Sequence, residues 1–327
     1  MANLLEVKNL KTHFKSKKGL VKAVDGINYS VKEKEILSIV GESGCGKSVS
    51  SRTVLGLIGH KKNEIVSGEV NFKGENLLEK SYNEMRKIRG NKISTVFQDP
   101  MTSLNPLHKV GKQIAEVLII HQNMNKKQAW KRAVELLDSV GIPAAAQRAA
   151  QYPHQFSGGM RQRAIIAMAL ACKPDLLNAD EPTTALDVTI QAQILDLLEE
   201  MREEMGTAII MITHDLGVVA EVSDSVAVMY AGKLVEKAAV KELFAEPKHP
   251  YTKGLLKSIP KAGSREKLDP IIGQPPDLYA LKTGCNFADR CDYAFDRCRK
   301  ESPEMKGLEG GHLVSCWLYE EGLEIEE

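Results

Sequence analysis

The residues from Gly41 to Ser48 have the types and spacing needed to bind a nucleoside triphosphate. They match the phosphate-binding pattern G-x-x-x-x-G-K-[ST], in the order Gly41, Glu42, Ser43, Gly44, Cys45, Gly46, Lys47 and Ser48. Glycines permit positive φ and bring backbone N–H groups onto phosphates, while the following helix N-terminus adds partial positive charge. We expect Lys47 to reach the β- and γ-phosphates and Ser48 to ligate Mg²⁺. The alternative is a chance glycine-rich turn, and the variable position of Cys45 predicts no role for its thiol.

Two acidic residues farther along the chain could complete a hydrolytic site. Asp180 ends an apolar run, where its carboxylate can bind the Mg²⁺ held by Ser48, directly or through water. Glu181 is then the candidate general base for the attacking water, a role typically worth about 10²–10⁴-fold in rate. A solvated strand end would explain two acids alone. Their position after a buried strand, downstream of the phosphate loop, favours the catalytic interpretation.

A second glycine-containing turn could bind another phosphate. Ser157, Gly158 and Gly159 open a predicted helix, so their N–H groups and the Ser157 hydroxyl could contact an anion. One nucleotide hardly needs two such loops from one chain. We therefore expect this loop to serve a nucleotide bound to a neighbouring molecule; the alternative is a plain helix N-cap.

Four of the six cysteines crowd the C-terminal part of the chain. Their gaps of five, six and seventeen residues lack the C-x₂-C knuckles typical of structural zinc, and four thiolates suit a [4Fe–4S] cluster; the residues are Cys285, Cys291, Cys298 and Cys316. In a reducing cytoplasm such a group more often holds a metal than disulfides. Spacing alone leaves Zn²⁺ and iron–sulfur open. His312 could replace one thiol, or it could pack or cap.

Composition restricts the function classes. The 327 residues suit one large domain plus an extension, and 44 Lys and Arg nearly balance 43 Asp and Glu. A net charge of +1 is no footprint of a dedicated nucleic-acid binder. No stretch approaches the roughly 20 apolar residues of a membrane-spanning helix, and the N-terminus lacks the order of a secretion signal. We therefore expect a cytoplasmic protein that reaches the membrane through a partner.

The elements that must position these residues read as α/β. Short buried-strand candidates cover residues 36–40, 175–179 and 207–213, each followed by helix-like sequence, which predicts a largely parallel, two-sided sheet. A helix is expected from about Lys47 to Ile58. Residues 227–235 form a shorter strand-rich stretch that closes the core.

Two further regions differ from the sheet region in their residue patterns. Apolar spacing predicts helices over 110–122, 126–140 and 159–171, which indicates a helical insertion. Beyond Phe244, frequent prolines predict an extended segment and not a helix; they are Pro247, Pro250, Pro260, Pro270, Pro275 and Pro276. The cysteine-rich unit of about 45 residues after it is too small to be stable without a staple.

Residues 1–245 resemble the ATP-binding subunits of ATP-binding-cassette transporters, with seven motifs in the family's order. The resemblance implies a P-loop NTPase fold, a RecA-like core with an antiparallel β subdomain and a helical subdomain over about 100–171, followed by a cysteine-rich extension over 246–327. It implies adenine stacking by Phe14, contact of Gln98 with Mg²⁺ and water, and a switch role near the γ-phosphate for His214. Ser157 to Met160 match the signature, Asp180 and Glu181 the metal ligand and base, and Ala185 to Asp187 the dimer-contact loop.

Three positions depart from the family's usual pattern. Phe156 and Met160 stand where the signature mostly has Leu and Gln, and Asn178 interrupts the apolar strand before Asp180. None of these removes a phosphate contact. They bear on the subfamily instead.

The subfamily resemblance covers nearly the full chain. The signature, Val49 after the phosphate loop, the run from Met101 to Pro106 and the tail around His249 to Thr252 and Gln274 to Pro276 resemble ATPases of bacterial dipeptide, oligopeptide and nickel importers. This resemblance implies a [4Fe–4S] cluster on the tail cysteines. It also implies a homologous second ATPase subunit, two membrane permease subunits and, indirectly, an extracytoplasmic solute-binding protein.

The sequence thus predicts an ATPase on the cytoplasmic side of the membrane, a peripheral subunit that uses ATP and Mg²⁺ to import di- or oligopeptides. A nickel or other small-solute importer of the same family is the nearest alternative. A cassette ATPase acting on nucleic acid usually has tandem cassettes or a long coiled coil, which this chain lacks, so no nucleic-acid partner is expected. An iron–sulfur electron-transfer or sensing protein would leave the nucleotide site unexplained.

Overall fold

The computed structural model describes residues 3–184, 187–258 and 270–320. These residues divide into two compact units. The insertion unit comprises residues 32–35 and 79–212, and the phosphate-loop unit comprises residues 3–31, 36–78 and those from 213 onward.

The strands within the described ranges are short except for the first two. In chain order they are β1 (Asn3–Ser16), β2 (Gly19–Lys32), β3 (Ile36–Val40), β4 (Glu64–Phe72), β5 (Glu75–Asn76), β6 (Ile93–Val96), β7 (Leu176–Asp180), β8 (Ala208–Ile212), β9 (Ser225–Tyr230), β10 (Lys233–Ala239), β11 (Lys306–Gly307) and β12 (Leu313–Val314).

The helices of the described residues are concentrated in the middle of the chain. They are α1 (Lys47–Val54), α2 (Tyr82–Ile88), α3 (Pro100–Ser103), α4 (Val110–Gln122), α5 (Lys126–Ser139), α6 (Ala145–Ala149), α7 (Gly158–Leu170), α8 (Val188–Met205), α9 (Leu216–Val222), α10 (Val240–Ala245), α11 (Pro250–Lys257) and α12 (Asp296–Lys300). No described helix combines the length and the apolar character needed to cross a membrane.

The phosphate-loop unit contains two β arrangements. Strands β2, β1, β4 and β5 lie side by side in that order, with β1 antiparallel to β4. Strands β11, β12, β10, β9 and β3 also lie side by side, and β3 runs parallel to β9 with Val40 opposite Val228. All five residues of β3 are buried, as expected of a strand covered on both faces.

The insertion unit joins three parallel strands to most of the helices. Strand β7 lies between β6 and β8, with Asn178 opposite Thr95 on one side and Ile210 on the other. Helices α4, α5, α6 and α7 pack against one another. Asn125 begins α5 with a capping box, in which its side chain accepts the Gln128 N–H at 3.0 Å.

The sequence predicted most of these elements, with small differences at their ends. Helix α4 has the predicted bounds, and α5 and α7 end one residue early. Helix α1 stops at Val54 and not near Ile58. Gly56 adopts φ 62° there, a left-handed conformation that favours glycine and that commonly ends a helix.

The prediction that the proline-containing segment is extended throughout was wrong for Pro250–Lys257, which is helical. Pro250 occupies the first helical position, where its missing N–H costs nothing and its fixed φ suits the helix. His249 caps this helix, because its Nδ1 accepts the Tyr251 N–H at 3.0 Å. Pro260 lies outside the described residues.

Within the phosphate-loop unit, a buried carboxylate anchors the C-terminal extension after residue 245, here called the tail. Glu236 on β10 is fully buried and accepts hydrogen bonds from the backbone N–H groups of Lys248 (2.6 Å) and His249 (2.9 Å). His312 places its Nε2 2.6 Å from the same carboxylate. A buried charge needs such partners, so this cluster ties β10, the start of α11 and the region of β12 together.

The hydrophobic core makes the same connection. Val40 at the end of β3, Tyr230 on β9, Tyr251 on α11 and Phe287 in the tail belong to one buried cluster. The tail also has a small buried cluster of its own, formed by Ala288, Cys298 and Trp317, but Tyr251 and Phe287 belong to the larger cluster. They share the core that supports the strand before the phosphate loop.

Candidate nucleotide-binding site

The phosphate loop lies between β3 and α1, and its glycines are required by close backbone approach. Gly41, Gly44 and Gly46 have φ of 151°, 79° and 109°. A Cβ on Gly41 would lie 2.1 Å from the Met229 carbonyl oxygen, and one on Gly46 would lie 2.1 Å from that of Ala23. No larger residue fits these two positions without moving the neighbouring strands.

Lys47 is buried and curled into the loop. Its Nζ donates to the carbonyl oxygens of Gly41 at 2.7 Å and Glu42 at 3.1 Å. Gly46 precedes helix α1 and supplies no side-chain cap, and a helix N-terminus of this kind favours a bound anion. Ser48 and Val49 are half-buried in the first turn, while Ser43 and Gly44 are exposed.

Burial keeps the Cys45 thiol chemically quiet. The side chain is buried within the loop, and this burial raises the pKa of the thiol. A protonated, enclosed thiol is a poor nucleophile.

Two further predicted residues lie in the phosphate-loop unit. Phe14 is half-buried on β1, opposite Glu64 on β4. His214 is exposed, two residues before the first residue of α9, and follows Thr213, whose N–H donates to the Ile39 carbonyl at 3.4 Å. Their roles toward adenine and the γ-phosphate stay predictions.

In the insertion unit, the structure brings Gln98 and Glu181 together. Gln98 Nε2 donates to Glu181 Oε2 at 2.8 Å, and Thr184 Oγ1 donates to the same oxygen at 2.8 Å. Glu181 has φ 49°, and its N–H donates to the Ile212 carbonyl at 2.9 Å. Asp180, buried at the end of β7, precedes it. The Glu181 carboxylate is thus oriented by two donors and a fixed backbone.

Thr184 and Gln162 were missed by sequence reasoning. Thr184 stands three residues after Glu181, a spacing at which a hydroxyl can reach back to a turn carboxylate. Gln162 is buried in α7, and its Nε2 donates to the Pro182 carbonyl at 2.6 Å, which ties the helix after Gly159 to the turn after Glu181. No local pattern in the sequence announces the Gln162 contact.

The Ser157 loop is open to solvent. Ser157 Oγ accepts the Met160 N–H at 3.3 Å and so caps α7, while Ser157 and Gly158 are exposed. A Cβ on Gly158 would meet nothing within 4 Å. The plain N-cap is therefore present, on a surface that a second molecule can reach. Ala185 and Leu186 of the predicted dimer-contact loop lie outside the described residues.

The four tail cysteines line one cavity, together with His249, Phe287 and Trp317. All four are free thiols, and burial raises the pKa of Cys291 to about 11 and that of Cys316 to about 12. Among the described residues, however, no three His, Cys, Asp or Glu side chains form a group that could hold a metal ion. The donor types fit a thiolate-ligated metal, but the close grouping that ligation requires is not present.

Comparison with known proteins identifies the chain's family. The family model for ABC transporters matches residues 24–184, and the model for the oligopeptide/dipeptide transporter C-terminal region matches residues 235–298. The chain is 51% identical over 322 residues to the oligopeptide transport ATP-binding protein AppD of Bacillus subtilis, covering 98% of each. It is 50% identical over 325 residues to the dipeptide transport ATP-binding protein DppD of the same organism, covering 99% of this chain and 97% of that protein. The chain belongs to the peptide ABC transporter ATP-binding proteins.

Solved structures agree with this assignment. The ATP-binding cassette MJ0796, solved as a dimer in a post-hydrolysis state bound to ADP and Pi, is similar with a TM-score of 0.65 and 30% identity. The match covers 72% of this chain and 98% of that chain. The ABC ATPase has the P-loop NTPase fold predicted from its sequence, and members of this family are ATPases.

Proposed function

We propose that this ABC ATPase hydrolyses ATP to drive the import of di- or oligopeptides through a separate membrane pore. The hydrogen bond between Gln98 and Glu181 carries the catalytic part of the proposal, because it holds a carboxylate where a buried strand ends. The peptide substrate is supported by the relatives named for oligopeptide and dipeptide transport.

Each predicted site residue has a distinct role in this proposal. Lys47, freed from the carbonyl oxygens it now contacts, binds the β- and γ-phosphates of ATP. Ser48, Gln98 and Asp180 supply oxygen ligands for Mg²⁺, which neutralises phosphate charge when it is bound. Phe14 stacks on adenine, and His214 contacts the γ-phosphate.

Glu181 acts as the general base. Its Oε2 accepts hydrogen bonds from Gln98 and Thr184, which fixes the carboxylate plane before a water arrives. A pre-oriented base avoids reorganisation during the reaction, and proton abstraction of this kind contributes about 10²–10⁴-fold in rate.

The Ser157 loop is proposed to complete the site of a partner. Its exposure, and the open space around Gly158, leave room for a nucleotide held by another subunit. The similar cassette MJ0796 is described as a dimer, which supports such an arrangement. The partners are a homologous second ATPase subunit and two permease subunits, with a solute-binding protein reached indirectly. The chain would then lie peripherally on the cytoplasmic side of the membrane.

For the extension after residue 245, we propose a [4Fe–4S] cluster on the four cysteines. Support comes from their shared, enclosed cavity and from the match to the transporter C-terminal region. Ligation requires the sulfur atoms to move closer together than they are here. Iron and acid-labile sulfide in anaerobically purified chain would support the cluster; zinc without sulfide, or neither metal, would contradict it, and Cys298→Ser should lower the metal content.

The catalytic proposal is tested by Glu181→Gln in the assembled transporter. ATP hydrolysis should fall by about 10²–10⁴-fold, because the amide cannot take the proton, while ATP affinity is retained. Glu203→Gln is the matched control, since Glu203 is an exposed surface residue paired with Arg202 on α8. Hydrolysis as fast as that of the control would remove Glu181 as the base.

A further inference from the structure

The phosphate loop is held by residues of the C-terminal extension, more than 200 positions away in sequence. Glu42, the second residue of the loop, receives hydrogen bonds from Arg290 and gives one to Tyr251. Neither contact belongs to the phosphate-binding pattern, in which Glu42 occupies a variable position.

Arg290 forms a bidentate ion pair with Glu42. Its Nη1 donates to Oε2 at 2.7 Å and its Nη2 to Oε1 at 2.9 Å. The Arg290 side chain is only 6% exposed and that of Glu42 25%. Paired forks of this kind are short, directional and stronger than a single surface ion pair.

The remaining donors of Arg290 are also engaged, which fixes the guanidinium. Its Nε donates to the Ile272 carbonyl at 3.1 Å, and Nη2 also lies 3.3 Å from that of Ile271. Nη1 reaches the Tyr230 hydroxyl at 3.2 Å, and the guanidinium lies 5.9 Å from the centre of the Phe287 ring. A group held on so many sides is rigid enough to position what it binds.

Tyr251 holds the backbone of the same loop residue. Its hydroxyl accepts the Glu42 N–H at 2.9 Å, and its ring is fully buried against Tyr230 and Phe287. The Glu42 N–H therefore points at the extension and not into the concave side of the loop. Both ends of this residue, backbone and carboxylate, are tied to the tail.

A second route connects the tail with the loop through the turn between β9 and β10. Asn286 Nδ2 donates to the Ala231 carbonyl at 2.9 Å. The next residue, Gly232, donates its N–H to the Cys45 carbonyl at 2.9 Å. The extension thus contacts the loop near its beginning directly and near its middle through one turn.

We propose that Arg290 and Tyr251 are positioning residues for ATP binding, acting on the phosphate loop through Glu42. The extension then serves the nucleotide site in addition to any metal it carries. This inference rests on the proposed role of Gly41 to Ser48 in binding the triphosphate, which Lys47→Ala tests separately.

The test measures the ATP dissociation constant of the purified full-length chain. Arg290→Gln should raise it about tenfold, within the usual range of coupling between sites. Arg290→Lys keeps the charge but not the fork and should give an intermediate value. Arg299→Gln is the matched control from the same extension, because Arg299 forms an exposed pair with Asp289. Its effect should stay below about threefold.

A double variant distinguishes positioning from general destabilisation. If Arg290 acts through Glu42, then Arg290→Gln combined with Glu42→Gln should weaken ATP binding no more than the worse single variant. Melting temperatures are recorded for every variant. An additive double variant, or a lower melting temperature with unchanged ATP affinity, would overturn the proposal.

Three further outcomes are also decisive. If Arg290→Gln does not fold, Glu42→Gln and Tyr251→Phe carry the test, and ATP affinity equal to that of the wild type in both would overturn the proposal. If Lys47→Ala binds ATP as the wild type does, the proposed nucleotide site itself fails. If Lys47→Ala loses ATP but Arg290→Gln matches Arg299→Gln, only the inference about the extension fails.

Discussion

The two loops that precede α1 and α7 have similar composition but opposite surroundings. The loop from Gly41 to Ser48 is packed against strands of its own unit, and its lysine is buried among its own carbonyl groups. The loop at Ser157 and Gly158 is exposed, with nothing near the missing Cβ of Gly158. The first loop is shaped by its own chain. The second caps its own helix and has an exposed outer face.

The largest expected effect is a difference in folding stability between alanine variants of the two loops. Gly41→Ala should destabilise the chain by about 3 kcal/mol, because the new Cβ meets a backbone carbonyl at a positive φ. Gly158→Ala should fold normally and could gain up to about 1 kcal/mol from better helix propensity. Urea unfolding of both variants measures this difference, and equal stability would contradict the contrast in packing.

Next in size is the effect of a charge on the exposed loop. Gly158→Asp should reduce ATP hydrolysis by the assembled transporter by about 10²-fold or more, because the carboxylate repels the partner's phosphates and displaces preorganised N–H donors. The purified variant should unfold at the wild-type urea concentration. Hydrolysis at the wild-type rate would mean that this loop meets no nucleotide.

A buried histidine helps to hold the first loop, so the stability of the folded chain should fall in acid. The exposed loop contains no such group. Burial lowers the pKa of His249, which caps the helix bearing Tyr251, from 6.5 to about 3. Unfolding lets this histidine take up a proton, so stability present above pH 6.5 is lost as the pH falls toward 3.

From pH 7 to pH 5 this loss should reach about 1–2 kcal/mol. His249→Asn, which can still accept the Tyr251 N–H but does not titrate, should lose less stability over the same interval. Urea unfolding at both pH values gives the comparison. An identical loss in both proteins would show that His249 is not the sensitive group.

The smallest effect concerns the cap itself. Ser157→Ala removes the acceptor for the Met160 N–H and should cost about 1 kcal/mol of stability. Urea unfolding measures this cost. If stability is unchanged while hydrolysis in the complex falls, the hydroxyl serves the nucleotide more than the helix.

Local patterns in the sequence predicted the elements that depend on neighbours in the chain. The apolar spacing of 110–122 gave helix α4 with its observed bounds, and the buried run of 36–40 gave strand β3. The phosphate loop was recognised because its glycines and Lys47 occupy fixed offsets. Such patterns predict structure well because each depends only on residues close together in the sequence.

What depends on distant packing could not be read in this way. The frequent prolines after Phe244 predicted an extended tail, yet Pro250 begins a helix because His249 supplies its cap. Glu181 adopts a left-handed φ, which a glutamate residue does not predict. The pairing of Arg290 with Glu42 joins positions 248 apart, and no spacing rule links them.

The central claim is that the two loops act on nucleotides in different molecules. The most direct measurement is the ATP affinity of the purified full-length chain carrying either Lys47→Ala or Gly158→Asp. We expect Lys47→Ala to weaken ATP binding by about 10²-fold or more, in line with the loss of a charged phosphate contact. Gly158→Asp should bind ATP as tightly as the wild type. Loss of ATP binding in both variants would contradict the claim and place both loops on one nucleotide.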